Sequence, residues 1–222
     1  MELGSIERPE SGLLETFRSI PTSTLSDVLD GMGVNGVILN LKACRPGIRF
    51  VGAAVTVKGI TGARGTYQPQ EYAFGTALEA CKPGDVLVED IGGDRISCLG
   101  GIAAFAARHK GVAGAVLDGG ARDIDEINAC GFAVIARHFV PTGAKTRIKL
   151  VGCNVPVTID GIDVLPGDII VADSSAVAVV PRRIAAEVAA AALESCRQDE
   201  QAKQEIAQGM SFGDAFRKFP KM

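Results

Sequence analysis

Apolar and polar positions follow two rhythms along this chain, one helical and one of period two. Leu13, Leu14, Phe17 and Ile20 recur at helical spacing and predict a helix over 11–20, which Pro21 breaks. Thr22, Ser23 and Thr24 offer N-caps for a second helix over 25–31. Residues 51–60 read as a strand, with Thr56 and Lys58 on the face opposite Val55 and Val57. The stretch 61–70 has no periodicity and predicts a long exposed loop. A short helix over 71–81 follows, then a Lys82-Pro83-Gly84-Asp85 turn that feeds a strand at 86–88. A glycine-rich loop at 91–95 precedes Gly100-Gly101, which opens a helix over 102–109. The apolar run 112–117 predicts a buried strand. It ends in Asp118-Gly119-Gly120-Ala121, read as a loop, with a helix over 123–129 and a strand over 132–136 beyond it.

From 141 to 180 the pattern changes to short strands, at 147–151, 155–159, 162–165, 169–172 and 176–180, with Asp160-Gly161 as a hairpin turn. The alanine-rich stretch 182–196 predicts a long helix, and 198–208 and 212–219 read as amphipathic pieces of an arm. Such arms often pack on a neighbouring subunit. Strands alternating with helices place the chain in the α/β class, with one domain over 1–181 and a helical arm over 182–222. One internal echo is visible. Residues 82–90 and 165–173 share a Pro-Gly turn, an Asp, an apolar strand core and a terminal Asp. Turn chemistry alone accounts for such a match; the other reading is a sheet with two halves built alike.

Apolar residues make up 47% of 222, enough for a sizeable core, and 27 glycines fit a domain rich in tight turns. Net charge is −3 with no basic cluster, which argues against nucleic acid or an anionic membrane surface as a partner. No run reaches the roughly 18 apolar residues of a membrane helix, and 1–12 lacks the pattern of a signal peptide. The six cysteines are scattered without a CxxC pair, so they read as reduced thiols of a cytoplasmic protein. Neither His109 nor His138 stands at zinc-ligand spacing to a cysteine.

The chemistry concentrates at 111–126. A strand that runs into glycines and then a helix N-terminus is a common anion site in α/β proteins. Arg122 can grip a carboxylate in bidentate fashion, and Asp123 can ligate Mg²⁺ or Mn²⁺. The plain structural reading is an Asp that caps its own helix beside a surface Arg. The N–H groups of Ile102 and Ala103, after Gly100 and Gly101, can hold a carboxylate on the same sheet edge. Glu126, at i+4 from Arg122, can orient the guanidinium. Asp118 reads as a loop brace rather than a ligand. Asp90 and Asp94 flank the first glycine loop, and His138 and His109 carry no motif that assigns them chemistry.

Gly101, twenty residues, Arg122-Asp123, two residues, then Glu126 resembles the signature of the RraA-like family. That family includes 4-hydroxy-4-methyl-2-oxoglutarate / 4-carboxy-4-hydroxy-2-oxoadipate aldolases. The segments 24–27, 111–118, 154–157 and 166–173 are similar to it too, so the resemblance spans roughly 15–190. It implies a swivelling β/β/α-type sandwich with a C-terminal helical arm, assembled as a homotrimer or hexamer with sites between subunits. It implies a class II lyase that uses a divalent metal, usually Mg²⁺, to cleave a small 2-oxo acid to pyruvate or to decarboxylate oxaloacetate. Asp123 would be the metal ligand, Arg122 would bind the keto acid, and the backbone after Gly101 would hold its carboxylate. Glu194, Asp199 and Glu200 are candidates for an acid lent to a neighbour's site. One position departs: the aldolases carry an Asp where this chain has Gly101, which leaves the proton donor open. Other relatives inhibit a ribonuclease by binding it, so a non-catalytic regulator is the alternative; retention of Asp123 favours the enzyme.

Overall fold

The structure is a computed structural model and describes residues 1–221. In chain order its strands are β1 (Glu2–Leu3), β2 (Val37–Ile38), β3 (Lys42–Ala43), β4 (Phe50–Thr61), β5 (Val86–Asp90), β6 (Ser97–Leu99), β7 (Gly114–Ala121), β8 (Val134–Phe139), β9 (Ile148–Cys153), β10 (Val157–Ile159), β11 (Ile162–Val164), β12 (Ile169–Ala172) and β13 (Val177–Val180). The helices are α1 (Ser11–Phe17), α2 (Thr22–Gly31), α3 (Phe74–Ala80), α4 (Gly101–His109), α5 (Ile124–Ala129), α6 (Ala185–Ala207) and α7 (Phe212–Lys218). Short 3₁₀ turns at Pro69–Glu71 and Arg182–Ile184 precede α3 and α6.

The main sheet runs β2-β13-β12-β4-β5-β7-β8-β3, and β10 and β11 form a separate hairpin. Strands β4, β5, β7 and β8 are mutually parallel, whereas β12 and β13 join antiparallel on the other side of β4. Period-two alternation builds the layers. Leu87, Leu117, Val134 and Ala136 face out under α3, α4 and α5. Val86, Val88, Val116, Ile135, Ile170 and Val179 share an inner core with the β10–β11 hairpin. Ile169, Val171, Ala178 and Val180 turn out again, under α1, α2 and α6. The result is the expected mixed α/β sandwich, with helices on both outer faces.

The internal echo is structural. The Asp85 carboxylate accepts the Lys82 N–H at 2.7 Å, and Asp168 accepts the Leu165 N–H at 2.9 Å. At the far end of each strand, Asp90 accepts the Gly92 N–H at 2.9 Å and Asp173 the Ser175 N–H at 2.8 Å. β5 and β12, which carry these clasps, both pair with β4.

Three expected boundaries shift. The strand through 112–117 does not stop at Asp118; β7 continues to Ala121, so Gly119 and Gly120 lie within a strand rather than a loop. The cause is close packing: a Cβ on Gly119 would stand 2.6 Å from Cys98 Sγ, and one on Gly120 2.6 Å from Val140. The pieces 182–196 and 198–208 form one continuous helix, α6. Its first turns do not belong to an arm, because Val188, Ala189 and Ala192 pack against Leu25 and Leu29 in the domain's own core. Only the later turns, with α7, stand apart around Ala202, Ala215 and Phe219, and residue 222 lies outside the described residues.

Arg8 grips Asp85 with Nε at 3.0 Å and Nη2 at 2.7 Å, tying the N-terminal segment to the β5 turn. Asp85 is almost fully buried, so removing it strands a guanidinium and the Lys82 N–H. Asp85→Ala is expected to cost about 3 kcal/mol in urea unfolding. Glu15→Ala, which breaks the exposed Arg18–Glu15 pair, is expected to cost under about 1 kcal/mol. Equal effects would refute the clasp.

Candidate functional site

Strand β6 and the residues that follow β7 border an open cleft of about 1150 Å³. The first turn of α4 forms one wall and the loop after β8, around Gly143, the other. Gly100, Gly101, Ile102, Ala103, Arg122, Asp123 and Glu126 all line it.

Asp123 follows β7 at φ 58°, ψ 44°, a left-handed conformation that costs a non-glycine residue of order 1–3 kcal/mol, with Asp among the better tolerated. This turns its side chain away from its own helix, which it does not cap. Instead Asp123 Oδ2 accepts the Gly101 N–H at 3.2 Å, so it reaches across to the start of α4. The self-capping reading is therefore replaced by a contact between two helix starts. The next N–H groups, of Ile102 and Ala103, belong to the first turn and lack intrahelical acceptors.

Arg122 precedes the helix. Its backbone N–H donates to Leu99 O at 3.0 Å, and its Nε lies 3.5 Å from Asp123 Oδ2, with both side chains about half exposed. The expected brace from Glu126 is absent: among the described residues no hydrogen bond or ion pair joins the two. The reason is that α5 begins at Ile124, so Arg122 is outside it and the i+4 geometry does not exist. Glu126 turns to α4 instead. A Cβ on Gly101 would stand 1.9 Å from Glu126 Oε2. The Glu126 carboxylate fills the space that a side chain at 101 would take.

Asp118 lies on the other face of β7 and does not line the cleft. It pairs with Arg137 Nε at 2.5 Å, and Arg137 also reaches Asp160 of the hairpin turn at 3.4 Å. Burial pushes the Asp118 carboxyl up, and the Arg137 pair pulls against it. This is a brace between β7, β8 and the hairpin. Asp90 is buried against Lys58 at 2.6 Å, Asp94 bonds Thr61, and His138 Nε2 lies 3.0 Å from Gly93 O, all outside the cleft. His109 stacks on Phe105.

Pattern reading missed four cleft residues. Arg64, Lys145 and Arg147 add cations to Arg122, and Tyr72 forms part of the floor. Basic residues in aperiodic loops, 61–70 and 141–147, were the available signal. It also missed Glu89. This side chain is fully buried beneath Tyr72, on the same face of β5 as Leu87. Tyr72 donates to the Cys98 carbonyl and sits 3.5 Å from Glu89 Oε1, while Oε2 has no partner. Burial raises the Glu89 carboxyl to about 8, so at neutral pH it is mostly a neutral acid.

With this geometry in view, residues 22–179 match the family described as RraA-like: Aldolase/RraA. The chain belongs to the RraA-like family. A relative in Halalkalibacterium halodurans is 32% identical over 178 residues, covering 80% of each chain; its name, 4-hydroxy-4-methyl-2-oxoglutarate aldolase, is itself provisional. The crystal structure of an uncharacterised protein from Pseudomonas syringae pv. tomato superposes with a TM-score of 0.86 at 29% identity, covering 97% of this chain and 98% of that one. RraAS2 of Streptomyces coelicolor, described as an unusual member of the RNase ES inhibitor RraA family, has a TM-score of 0.77 at 26% identity over 93% and 100%. The RraA-like fold read from the motifs is thus the fold observed.

The neutral Glu89 has a pH signature. Below an unfolded value of about 4.3 its proton is bound in both states. From there to about 8 the unfolded chain releases the proton and the native one keeps it, so stability falls by about 1.4 kcal/mol per pH unit. Glu89→Gln lacks this slope, and its stability relative to the parent is expected to rise steadily between pH 5 and 8 in urea titrations. Parallel profiles would show that Glu89 ionises freely.

Proposed function

We propose that this protein is a divalent-metal-dependent carbon–carbon lyase. Its substrate class is a small 2-oxo acid with a second carboxylate, of the 4-hydroxy-4-methyl-2-oxoglutarate or oxaloacetate type, and its product is pyruvate. The observation that carries the reading is the meeting of Asp123 and Glu126 at the first turn of α4, beside the guanidinium of Arg122.

The donor set fits Mg²⁺ or Mn²⁺. Both carboxylates border an open cleft, and Glu126 has no ion pair among the described residues. Among the described residues no group of three or more His, Cys, Asp or Glu forms a ready cage. Mg²⁺ is commonly held by one or two carboxylates, with waters and substrate oxygens completing its shell. Bound there, the cation supplies Lewis acidity and a template for the 2-oxo acid.

The chain's own groups do the rest. The N–H groups of Ile102 and Ala103 hold the carboxylate next to the keto group, aided by the helix dipole. Arg122 neutralises the negative charge that grows on the substrate as the carbon–carbon bond breaks, the largest gain coming in the transition state. Arg64 and Lys145 meet the distal carboxylate, which accounts for a cationic cleft in a chain of net charge −3. Gly101 moves no proton, and Glu126, the cleft carboxylate beside Asp123, is the candidate for that role. Assembly as a trimer or hexamer is part of this reading, and the same surface supports it: Ile102 is 87% and Phe105 63% exposed on α4 beside the cleft, a face suited to a neighbouring subunit. Phe212 and Phe216 give α7 a second such face.

Purified protein with Mg²⁺ or Mn²⁺ is expected to release pyruvate from oxaloacetate or 4-hydroxy-4-methyl-2-oxoglutarate, and a chelator to stop it. Asp123→Ala is expected to abolish turnover, and Arg122→Ala to lower kcat by about 10²–10³-fold. Turnover that survives chelation and both substitutions would sink the reading. Capture of a ribonuclease, with no pyruvate from any 2-oxo diacid, would replace it with the regulator that the Streptomyces relative's description suggests.

A further inference from the structure

At the opposite end of the parallel strands lies a second pocket, of about 370 Å³. The turns that lead into β5, β7 and β8 form its floor, through Gly84, Gly111 and Gly131. Its walls carry Arg18, Arg45, Arg49 and Arg108, and no acidic residue lines it. Four arginines with no lining carboxylate are a sharp local reversal in a chain of net charge −3.

The four differ in what occupies them. Arg18 pairs with Glu15 at 2.6 Å on the surface. Arg49 donates to the carbonyls of Arg18 at 2.8 Å and Ile20 at 2.6 Å, which leaves its Nη1 facing Asp173 only at 3.6 Å. Among the described residues, Arg45 and Arg108 make no side-chain hydrogen bond and no ion pair. Arg45 is the informative one, because its Nε is buried from solvent and has no acceptor. A desolvated guanidinium donor without an acceptor is rare in folded proteins and is costly unless something accepts from it.

We propose that this pocket is an anion site, separate from the cleft, which binds a small multivalent oxyanion through Arg45 and Arg108, with Arg49 and Arg18 at its rim. The planar fork of arginine matches paired oxygens of phosphate and carboxylate alike. The ligand class is therefore a phosphate group or a di- or tricarboxylate of a small metabolite. The volume admits either and is too small for a nucleic-acid segment. Ligand binding here would couple four segments: the end of α1, the loop before β4, the end of α4, and the strand starts between them. Since α4 also begins at the cleft, an occupant bridges the far end of the helix that frames the candidate active site. The proposal does not depend on the lyase reading.

The test is thermal unfolding and titration calorimetry of the full chain with inorganic phosphate and, in a separate arm, citrate, each against sodium chloride at equal ionic strength. One or both anions are expected to raise Tm saturably, and the stronger arm identifies the anion type. Arg45→Gln and Arg108→Gln are each expected to weaken that binding by about tenfold or more, while Arg122→Gln, in the cleft, leaves it unchanged. Circular dichroism shows whether each variant is folded; Arg108 is exposed, so its variant keeps the test open if Arg45→Gln does not fold. Three results would overturn the proposal. Chloride matches both anions; both variants respond like the parent; or the response disappears only in Arg122→Gln. Dissociation of an assembly by the two variants, with no anion effect, would also overturn it and assign the pocket to a carboxylate of a second copy.

Discussion

The structure depends on β4 exchanging partners along its length. Residues 50–53 pair antiparallel with β12, and residues 54–58 pair parallel with β5. Its later residues then take β9 as an antiparallel neighbour, across a bulge at Lys58/Gly59. One strand therefore holds both halves of the sandwich in register. Side chains alternate between faces, so a slip of one residue would send Val55 and Val57 into the inner core and Ala54 outwards. The two Pro-Gly turns guard against that slip, because each clasps its strand with an Asp carboxylate on a backbone N–H. Both pockets hang from this strand. Arg49 stands just before its start, and the loop with Arg64 leaves its end.

At the cleft the governing constraint is the left-handed backbone of Asp123. A right-handed residue there would continue into α5 and aim the carboxylate at that helix's own N–H groups. The observed conformation sends it to α4 and leaves Arg122 free of the helix. Its conformational strain is offset by the Gly101 hydrogen bond and by the Ile127 N–H that Asp123 O accepts at 3.0 Å. Strain kept in this way is characteristic of residues whose position matters more than their local stability.

The strand and helix pattern was largely legible because both periodicities are strong. Leu13, Leu14 and Phe17 announce α1, and the Asp160-Gly161 turn, both residues at positive φ, announces the β10–β11 hairpin. What failed has a common cause. Gly119 and Gly120 look like a loop by composition, but glycine is equally what a strand needs where Cys98 and Val140 press on it. The i+4 rule joins Arg122 to Glu126 only if both lie in one helix, and sequence does not reveal that Asp123 breaks it. Glu89 looks like a solvated strand end; only its alternation with Leu87 hints that it points inward. Arg45 and Arg108 stand 63 residues apart in sequence, and no pattern brings them together before the strands do.

The departure at Gly101 changes meaning once Glu126 is seen. As a sequence feature it is a missing acid: position 101, separated from Arg122 by twenty residues, holds no carboxylate. In the fold, positions 101 and 126 compete for one volume, since a Cβ at 101 would stand 1.9 Å from Glu126 Oε2 and 2.9 Å from its Cβ. An Asp at 101 would require the Glu126 side chain to swing aside, because its carboxylate is the nearest obstacle. Glycine at 101 therefore lets Glu126 lie against the first turn of α4. The cleft still holds a carboxylate at this helix N-terminus, carried by α5 on a long side chain. The absence of an acid at one motif position says little until the occupant of its volume is known.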